Sequence, residues 1–362
     1  MSNSNGITAT NPPRGLEIPS LDGIRAVSVA IVFVAHAGLE KIIPGGFGVT
    51  CFFFLSGFLI TTLLRREREK SGATNLKNFY MRRVIRIVPP MAITVIVSIL
   101  LSMAGLFSDY WNWAGVFGNF IFVTNYMGVF GWTGPPGTGV LWSLAVEEHF
   151  YLLFPVVFAC CLVKRSPNKQ ALSLVFFCAV VLVWRIVQVK YLHVLETASS
   201  DPRTYFTTDS RLDSIAFGCI LAIWNNPVLD RSRNGKPMHW GWTIAGALAI
   251  VGTFAYRDEA FRQSWRYSIQ GLALIPIFYA AITYYDSPWF SWLNWKSLRW
   301  IGLMSYTIYL FHVIAYEIVL AVFNTTSIPI KLAIVTPLTL FYAFAMYAFV
   351  EKPLAKLRKR YN

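Results

Sequence analysis

The sequence predicts an all-α integral membrane protein, with about ten transmembrane helices in one bundle and a re-entrant or interfacial element at 108–139. Hydrophobic residues make up 55% of its 362 residues and charged residues only 14%, whereas soluble domains carry about 25% charged residues. The hydrophobic residues form blocks of about 15 to 23, and most of these blocks are long enough to cross a hydrocarbon core of about 30 Å as a helix. These blocks favour one membrane domain over two or three soluble domains.

Ten hydrophobic blocks define the predicted spans. They lie at 19–39, 47–64, 84–106, 141–163, 171–191, 212–226, 240–257, 266–284, 300–322 and 331–350. The segment 111–130 is also hydrophobic, but counting it as a further span would invert every later loop. Irregular backbone at membrane depth must be buried in protein or line a wet cavity. We therefore expect the element at 108–139 to form the roof of an active site.

Lysine and arginine residues in the loops predict the orientation. With both termini in the cytoplasm, 22 of them face the cytoplasm and 8 face the other side, as the positive-inside rule requires. The ten-helix domain then occupies 19–350, between cytoplasmic tails at 1–18 and 351–362. We expect no cleaved signal peptide, so the first helix should target the chain to the cytoplasmic (inner) membrane. The basic residues behind the net charge of +14 lie in short loops between the spans. This placement favours a role in membrane orientation and lipid contact over binding of nucleic acid.

The first span carries three ionisable residues, Asp22, Arg25 and His36. Each such residue within a span costs about 2.5 to 3.5 kcal/mol on insertion scales, so each indicates a role. Asp22 and Arg25 can pair at their spacing of three. Arg25 and His36 share a helical face at depths about 16 Å apart. This favours a cation near the cytoplasmic end and a titratable imidazole toward the far side; the alternative is a structural ion pair and a histidine bonded to a neighbouring helix.

Two adjacent carboxylates, Glu147 and Glu148, lie within the fourth span. Glu147 should sit about 10 Å below the far interface, close to the depth estimated for His36. A carboxylate there could orient the imidazole and raise its basicity. The alternative is that either glutamate pairs with Arg211 or Arg185 to hold the bundle.

Three arginines, Arg82, Arg83 and Arg86, lie at the cytoplasmic mouth of the third span. Arg82 and Arg86 are expected to share a helical face with Arg83 beside them, and the planar guanidinium suits bidentate binding of phosphate. The alternative is that they serve only topology and contact with anionic lipids.

Polar residues also occur at the far-side start of the sixth span and within the ninth span. Asp209, Arg211 and Asp213 open the sixth span, where they could orient a sugar hydroxyl or simply cap the helix. In the ninth span, Tyr306 and His312 belong to a polar stripe that could line a cavity. A satisfied core histidine is the alternative for His312.

Several short motifs follow one another in order across residues 20–355. They are Leu21–Ala26 with His36, Gly45–Val49, Phe53–Ile60, Arg82–Arg86 with Pro89, Trp142–Leu144, Glu147–Tyr151, Arg211–Asp213 with Gly218, Ser305–His312 and Glu351–Pro353. Through this ordered set the chain resembles the acyltransferase family 3 membrane proteins, of the O-antigen and exopolysaccharide acetylase type. His149 departs from the glutamine that many members carry. The sequence also lacks the esterase-like domain that some members append, so we expect transfer to be completed within the membrane domain.

The resemblance implies an acyl-CoA-dependent O-acyltransferase. It would move an acyl group, acetyl above all, from cytoplasmic acyl-CoA to a hydroxyl of a polysaccharide, lipid-linked sugar or similar glycan on the far side. The resemblance assigns Arg25 and His36 to the essential arginine and histidine of the first helix. It assigns donor binding to Arg82, Arg83 and Arg86. Acyl-CoA is then a co-substrate, and no permanently bound cofactor or metal is implied.

These assignments predict a mechanism. The nucleotide end of acyl-CoA lies against the three arginines, its arm passes Arg25, and its thioester reaches His36, which acts as general base or takes the acyl group itself. Glu147 or Glu148 would orient the imidazole. The acceptor side would be formed by Asp209, Arg211, Asp213, Tyr306 and His312.

A membrane transporter of a small anionic or sugar-like solute is the rival prediction. Charges within spans and helices broken by glycine or proline also mark transport pathways. Transporters of that kind usually consist of two related halves, and no internal repeat is found in the sequence.

Overall fold

The computed structural model of the protein describes residues 18–197, 203–230, 238–325 and 327–361. These residues form helices and connecting segments, without a β-strand, which confirms the all-α membrane fold. The predicted N-terminal tail lies outside the described residues except for Ile18.

Sixteen α-helices occur in the described part of the chain. They are α1 (Pro19–Val34), α2 (Gly45–Ser71), α3 (Leu76–Met103), α4 (Trp113–Phe120), α5 (Leu141–Val157), α6 (Pro167–Lys190), α7 (Val194–Thr197), α8 (Arg203–Phe206), α9 (Thr208–Trp224), α10 (Trp240–Ala255), α11 (Glu259–Gln263), α12 (Trp265–Thr283), α13 (Lys296–Leu303), α14 (Ser305–Phe323), α15 (Ile328–Met346) and α16 (Lys352–Arg358). Single π-helical turns extend α1 over Ala35–Leu39, α5 over Phe158–Leu162 and α15 over Tyr347–Glu351.

Each of the ten predicted spans overlaps one long helix. Seven segments, which contain α1, α2, α3, α5, α6, α14 and α15, are long and apolar enough to cross a membrane by length and composition. The helices α9 and α10, at 17 and 16 residues, are shorter than the roughly 20 residues that a full crossing takes. The count of ten spans therefore stays a prediction.

The segment at 108–139 is broken, as predicted. Its one α-helix, α4, has 8 residues, and the rest consists of turns and short 3₁₀ helices at Thr124–Phe130 and Thr138–Val140. The side chain of Asn119, which is fully buried, donates to the Thr138 hydroxyl at 3.2 Å and accepts from the Thr124 hydroxyl at 2.8 Å. These hydrogen bonds pair polar side chains of the segment with one another without water. Such pairing suits a re-entrant element that is buried in protein.

The helix α9 lies at the centre of the bundle, where nearly all its residues are buried, and it packs directly against α2. Two glycines allow this approach. A Cβ atom on Gly57 would lie 2.0 Å from the carbonyl oxygen of Ile215, and one on Gly218 would lie 1.9 Å from that of Phe54. Small residues of this kind let membrane helices approach closely, and this contact fixes the rotation of both helices.

Candidate active site

A small cavity of about 100 Å³ lies between α1, α2, α3, α5 and α14, and we call it the arginine cavity. Its polar lining consists of Arg25, Ser56, Arg83, Arg86, Ser143, Glu147, Tyr151, Ser305, Tyr306 and Tyr309. Three of these residues are cations and one is a carboxylate. The excess of positive charge suits an anionic group such as a phosphate.

Contacts within the arginine cavity hold its charged residues in place. Arg25 pairs with Asp22 at 3.2 Å, as the spacing of three predicts. The hydroxyl of Tyr151 donates to Glu147 at 2.5 Å, and the guanidinium of Arg83 lies 4.9 Å from the centre of the Tyr151 ring. Glu147 therefore belongs to the arginine cavity, where the hydroxyl of Tyr151 holds its carboxylate.

Arg82, a predicted donor residue, points away from this cavity. Its guanidinium donates to the carbonyl oxygen of Tyr361 at 2.5 Å and pairs with Glu67 at 3.2 Å. Adjacent residues on a helix diverge, whereas residues three apart lie on the same side. Arg83 and Arg86 therefore line the cavity, whereas Arg82, which is four residues before Arg86 on the same side of α3 as predicted, binds Tyr361 instead.

A second cavity of about 320 Å³, the tail cavity, adjoins the first between α3, α14 and α16. Arg25, Arg86 and Tyr306 line both cavities, and the tail cavity adds Lys352 and Arg358. Sequence reasoning assigned these two cations to a tail. Their helical spacing directly after the start of the Glu351–Pro353 motif could have indicated that both residues line a cavity.

A third cavity of about 770 Å³, the histidine cavity, lies at the opposite end of α1 and contains His36. It extends between the start of α2, the start of α5 and the segment from α10 to α12. Val49 and Tyr309 line both this cavity and the arginine cavity. The three cavities therefore adjoin in series along the axis of α1, from Arg358 to His36.

His36 lies in the π-helical turn that ends α1, and such turns often occur at functional sites. Its Nδ1 atom lies 2.9 Å from the carbonyl oxygen of Val32 and 3.3 Å from Nε2 of His312. His312 is fully buried, and its own Nδ1 lies 2.7 Å from the carbonyl oxygen of Tyr309. The two imidazole rings meet edge to face, with centroids 4.9 Å apart.

These contacts determine the tautomers of both histidines. A carbonyl oxygen only accepts, so Nδ1 of His312 carries a hydrogen and its Nε2 is left as an acceptor. Nδ1 of His36 then faces two acceptors and must carry its hydrogen as well. The lone pair of His36 therefore resides on Nε2, on an exposed imidazole that lines the histidine cavity. This is the form of histidine that accepts a proton or attacks an electrophile.

The predicted contact between His36 and Glu147 or Glu148 is wrong. The helix α5 begins at Leu141, beside the histidine cavity, and Glu147 follows about 9 Å further along the axis, in the arginine cavity. His36, by contrast, lies beyond the last α-helical residue of α1 and so close to the far end. Glu148 is largely buried near Arg83, and its Oε1 has no hydrogen-bond partner among the described residues.

The alternative pairing of the glutamates with Arg185 or Arg211 is wrong too, because Arg185 binds Asp213, and Arg211 binds the Thr50 hydroxyl and forms no salt bridge among the described residues. Both side chains are 0% exposed, and the guanidinium donates to the two carboxylate oxygens at 2.8 and 2.6 Å. Ser268 of α12 donates to the same carboxylate at 2.8 Å. Asp213, a predicted acceptor-side residue, therefore joins α6, α9 and α12 and does not line the histidine cavity.

Asp209, the second predicted acceptor carboxylate, also serves the packing. It accepts hydrogen bonds from Tyr126 at 2.9 Å and from the indole of Trp184 at 2.5 Å. These bonds attach the re-entrant segment and α6 to the start of α9. Tyr306 lines the arginine cavity and donates to the carbonyl oxygen of Ile87 at 2.8 Å. Of the predicted acceptor set, only His312 contacts His36.

Comparisons with known proteins give one family and several relatives. A family model described as an acyltransferase domain matches residues 18–350. The chain is 29% identical to the peptidoglycan O-acetyltransferase OatA of Listeria monocytogenes, over 94% of this chain and 56% of that protein. It is also 29% identical to the O-acetyltransferase OatA of Staphylococcus aureus, over 94% of this chain and 57% of that protein. The chain thus spans just over half the length of these curated relatives. No solved structure matches it.

Proposed function

Since the acyltransferase-domain model matches nearly the whole chain, the protein belongs to that acyltransferase family, and on this premise we propose that it transfers an acetyl group from acetyl-CoA to a hydroxyl of a glycan across the membrane. The observation that carries the proposal is the series of three adjoining cavities, which leads from the arginines to the free Nε2 of His36. An acyl group bound at one end can reach an acceptor at the other only along such a path.

The tail cavity receives the nucleotide end of the donor. It is about three times as large as the arginine cavity, at about 320 against 100 Å³, and it carries Arg25, Arg86, Lys352 and Arg358. The narrow arginine cavity suits the slender pantetheine arm and the phosphate that joins it to the nucleotide, which Arg83 and Arg86 would hold. Phosphate groups would be held by charge-assisted hydrogen bonds, each contributing about 1.5 to 3 kcal/mol.

His36 performs the chemistry where the arginine and histidine cavities meet. As a general base, its Nε2 takes the proton of the acceptor hydroxyl while the oxygen attacks the thioester carbonyl carbon; the carbon–sulfur bond then breaks and coenzyme A leaves. As a nucleophile, Nε2 attacks the thioester carbonyl carbon first, the carbon–sulfur bond breaks and coenzyme A leaves as its thiolate. The hydroxyl oxygen then attacks the acetyl-imidazole, the carbon–nitrogen bond breaks, and the hydroxyl proton passes to the released Nε2. In both cases His312 holds the ring of His36 through Nδ1.

The orientation follows from the loop charges. With 22 Lys and Arg residues on one side and 8 on the other, both termini and the donor end face the cytoplasm, and the histidine cavity faces outward. In a bacterium this is the cytoplasmic membrane. The glycan then lies outside it, and peptidoglycan is the first acceptor to test, because the Listeria relative is a peptidoglycan O-acetyltransferase.

The same adjoining cavities support a second candidate, a transporter of a small anionic or sugar-like solute. A transporter would move its solute unchanged. It would also need no covalent chemistry at His36.

The test is transfer of radiolabelled acetyl from acetyl-CoA to peptidoglycan glycan strands by the purified protein in lipid. His36→Ala should lower transfer by the roughly 10² to 10⁴ typical of a lost general base, while donor binding is retained. His36→Gln should fail as well, since glutamine cannot take up the proton. His193→Asn, which changes an exposed histidine outside the cavities, is the matched control and should behave as the parent. Equal transfer by His36→Ala and the parent would refute the proposal.

A further inference from the structure

The wall of the histidine cavity carries more positive than negative charge. Its lining includes the cations Lys41, Arg257, Arg262 and Arg266 but only the carboxylates Glu40 and Glu259. The excess of two positive charges does not count His36. This cavity is also the largest of the three described above, at about 770 Å³.

Most of these cations lack a carboxylate partner. Arg262 pairs with Glu259 at 2.8 Å, but Lys41 and Arg257 form no ion pair within the described ranges. Arg266 lies 5.2 Å from the centre of the Tyr267 ring and donates weakly to its hydroxyl at 3.4 Å. Cations with so few partners keep their hydrogen-bond donors available for a ligand.

A buried cation beneath the cavity adds to its positive potential. Arg211 is 0% exposed, forms no salt bridge in the part of the chain that the structure describes, and donates to the Thr50 hydroxyl at 3.0 Å. Its Nε and Nη1 atoms have no hydrogen-bond partner there, and its guanidinium lies 4.0 Å from the centre of the Tyr267 ring. Tyr267 also lines the cavity. An unpaired buried charge is unfavourable unless an opposite charge approaches it.

Three arginines of the cavity lining lie where the positive-inside rule disfavours positive charge. Under the predicted orientation, Arg257, Arg262 and Arg266 lie within ten residues on the side that has only 8 of the Lys and Arg residues. The positive-inside rule disfavours such a concentration outside the membrane. Topology therefore does not explain these three arginines.

We propose that the histidine cavity binds an anionic glycan, with a carboxylate or phosphate of the acceptor held by Arg257 and Arg266 and its reacting hydroxyl directed at Nε2 of His36. This inference rests on the proposed function, whose acceptor it specifies. Arg262 adds to the potential but is partly neutralised by Glu259. A neutral acceptor would leave Arg257 and Arg266 without a carboxylate or phosphate partner in the described part of the chain.

The experiment measures equilibrium binding of three tetrasaccharides to the full chain in lipid nanodiscs, without acetyl-CoA. The first alternates N-acetylglucosamine with N-acetylmuramic acid and has free carboxylates; in the second the carboxylates are primary amides; the third is the amide form with a terminal phosphate. Because the cavity is partly open to solvent, we expect the anionic forms to bind about tenfold more tightly than the neutral amide. A preference for the first or the third identifies the anionic group as a carboxylate or a phosphate.

Variants then locate the anion site. Arg257→Gln with Arg266→Gln should abolish the difference between the anionic and neutral forms. Lys190→Gln with Lys331→Gln removes two charges from the same predicted side outside the cavity, and should preserve the difference. Equal binding of the three forms to the parent, or a difference that survives the arginine double variant, overturns the inference.

Binding and transfer together separate this inference from the proposed function. Anion-dependent binding without any transfer of labelled acetyl would refute the acetyltransferase function and leave the anion site. Transfer that is equally fast to the amide and the carboxylate forms would support the function and refute the anionic acceptor.

Discussion

Replacing His312 removes the side chain that holds the imidazole of His36 in place. The bond between His36 Nδ1 and His312 Nε2 is long, at 3.3 Å, and Nδ1 keeps the shorter contact of 2.9 Å with the carbonyl oxygen of Val32. The ring of His36 therefore loses one of two restraints while its tautomer is preserved. A neutral hydrogen bond contributes about 0.5 to 1.5 kcal/mol, which corresponds to about two- to tenfold in rate.

We expect His312→Ala to lower kcat by about two- to tenfold, far less than the 10² to 10⁴ expected for His36→Ala. The KM for acetyl-CoA should not change, because the donor cavities lie at the other end of α1. His312→Gln keeps an acceptor for Nδ1 and should recover part of the activity. The assay is steady-state transfer of labelled acetyl, with thermal melts to confirm folding, since His312 is fully buried.

The outcome that would refute this reasoning is a change in KM alone. It would mean that His312 shapes donor binding and does not position His36. Loss of activity as complete as that of His36→Ala, in a folded protein, would also contradict the account, because His312 would then take part in the chemistry itself.

Two further predictions concern the donor arginines and the central helix contact. Arg83→Gln and Arg86→Gln should each weaken acetyl-CoA binding about tenfold to a hundredfold. Arg82→Gln, whose arginine does not line the arginine cavity, is the control and should not weaken it. Equal losses of affinity for all three variants in calorimetry would contradict donor binding in the arginine cavity. Gly57→Ala places a Cβ atom 2.0 Å from a carbonyl oxygen of α9 and should lower stability by about 1 to 3 kcal/mol. Gly252→Ala, where the added Cβ meets open space within α10, is the control and should not destabilise in thermal melts.

Hydropathy and local spacing predicted much of the fold. Blocks of apolar residues located the long helices, because a helix in lipid must satisfy its backbone internally. The pairing of Asp22 with Arg25 followed from their spacing of three. The break at 108–139 followed from loop charge, since a spanning helix there would have reversed the later loops.

Contacts between helices could not be predicted from spacing. His36 and His312 are 276 residues apart, and nothing in either segment indicates that their rings meet. The rotation of each helix about its axis is set by close packing, such as that at Gly57, and this rotation decides that Arg83 and not Arg82 faces the cavity. The depth of Glu147 depends on where α5 begins, and an estimate from the membrane interface alone put it beside His36.

The central claim is that acetyl passes through the protein from one side of the membrane to the other. It is tested most directly in sealed proteoliposomes that hold the glycan strands inside, with radiolabelled acetyl-CoA added only outside. Molecules inserted with their arginine end outward should label the enclosed glycan, and His36→Ala should abolish this labelling. If label reaches glycan only when donor and acceptor share a compartment, the path through the three cavities is not the route of transfer, and the account is contradicted.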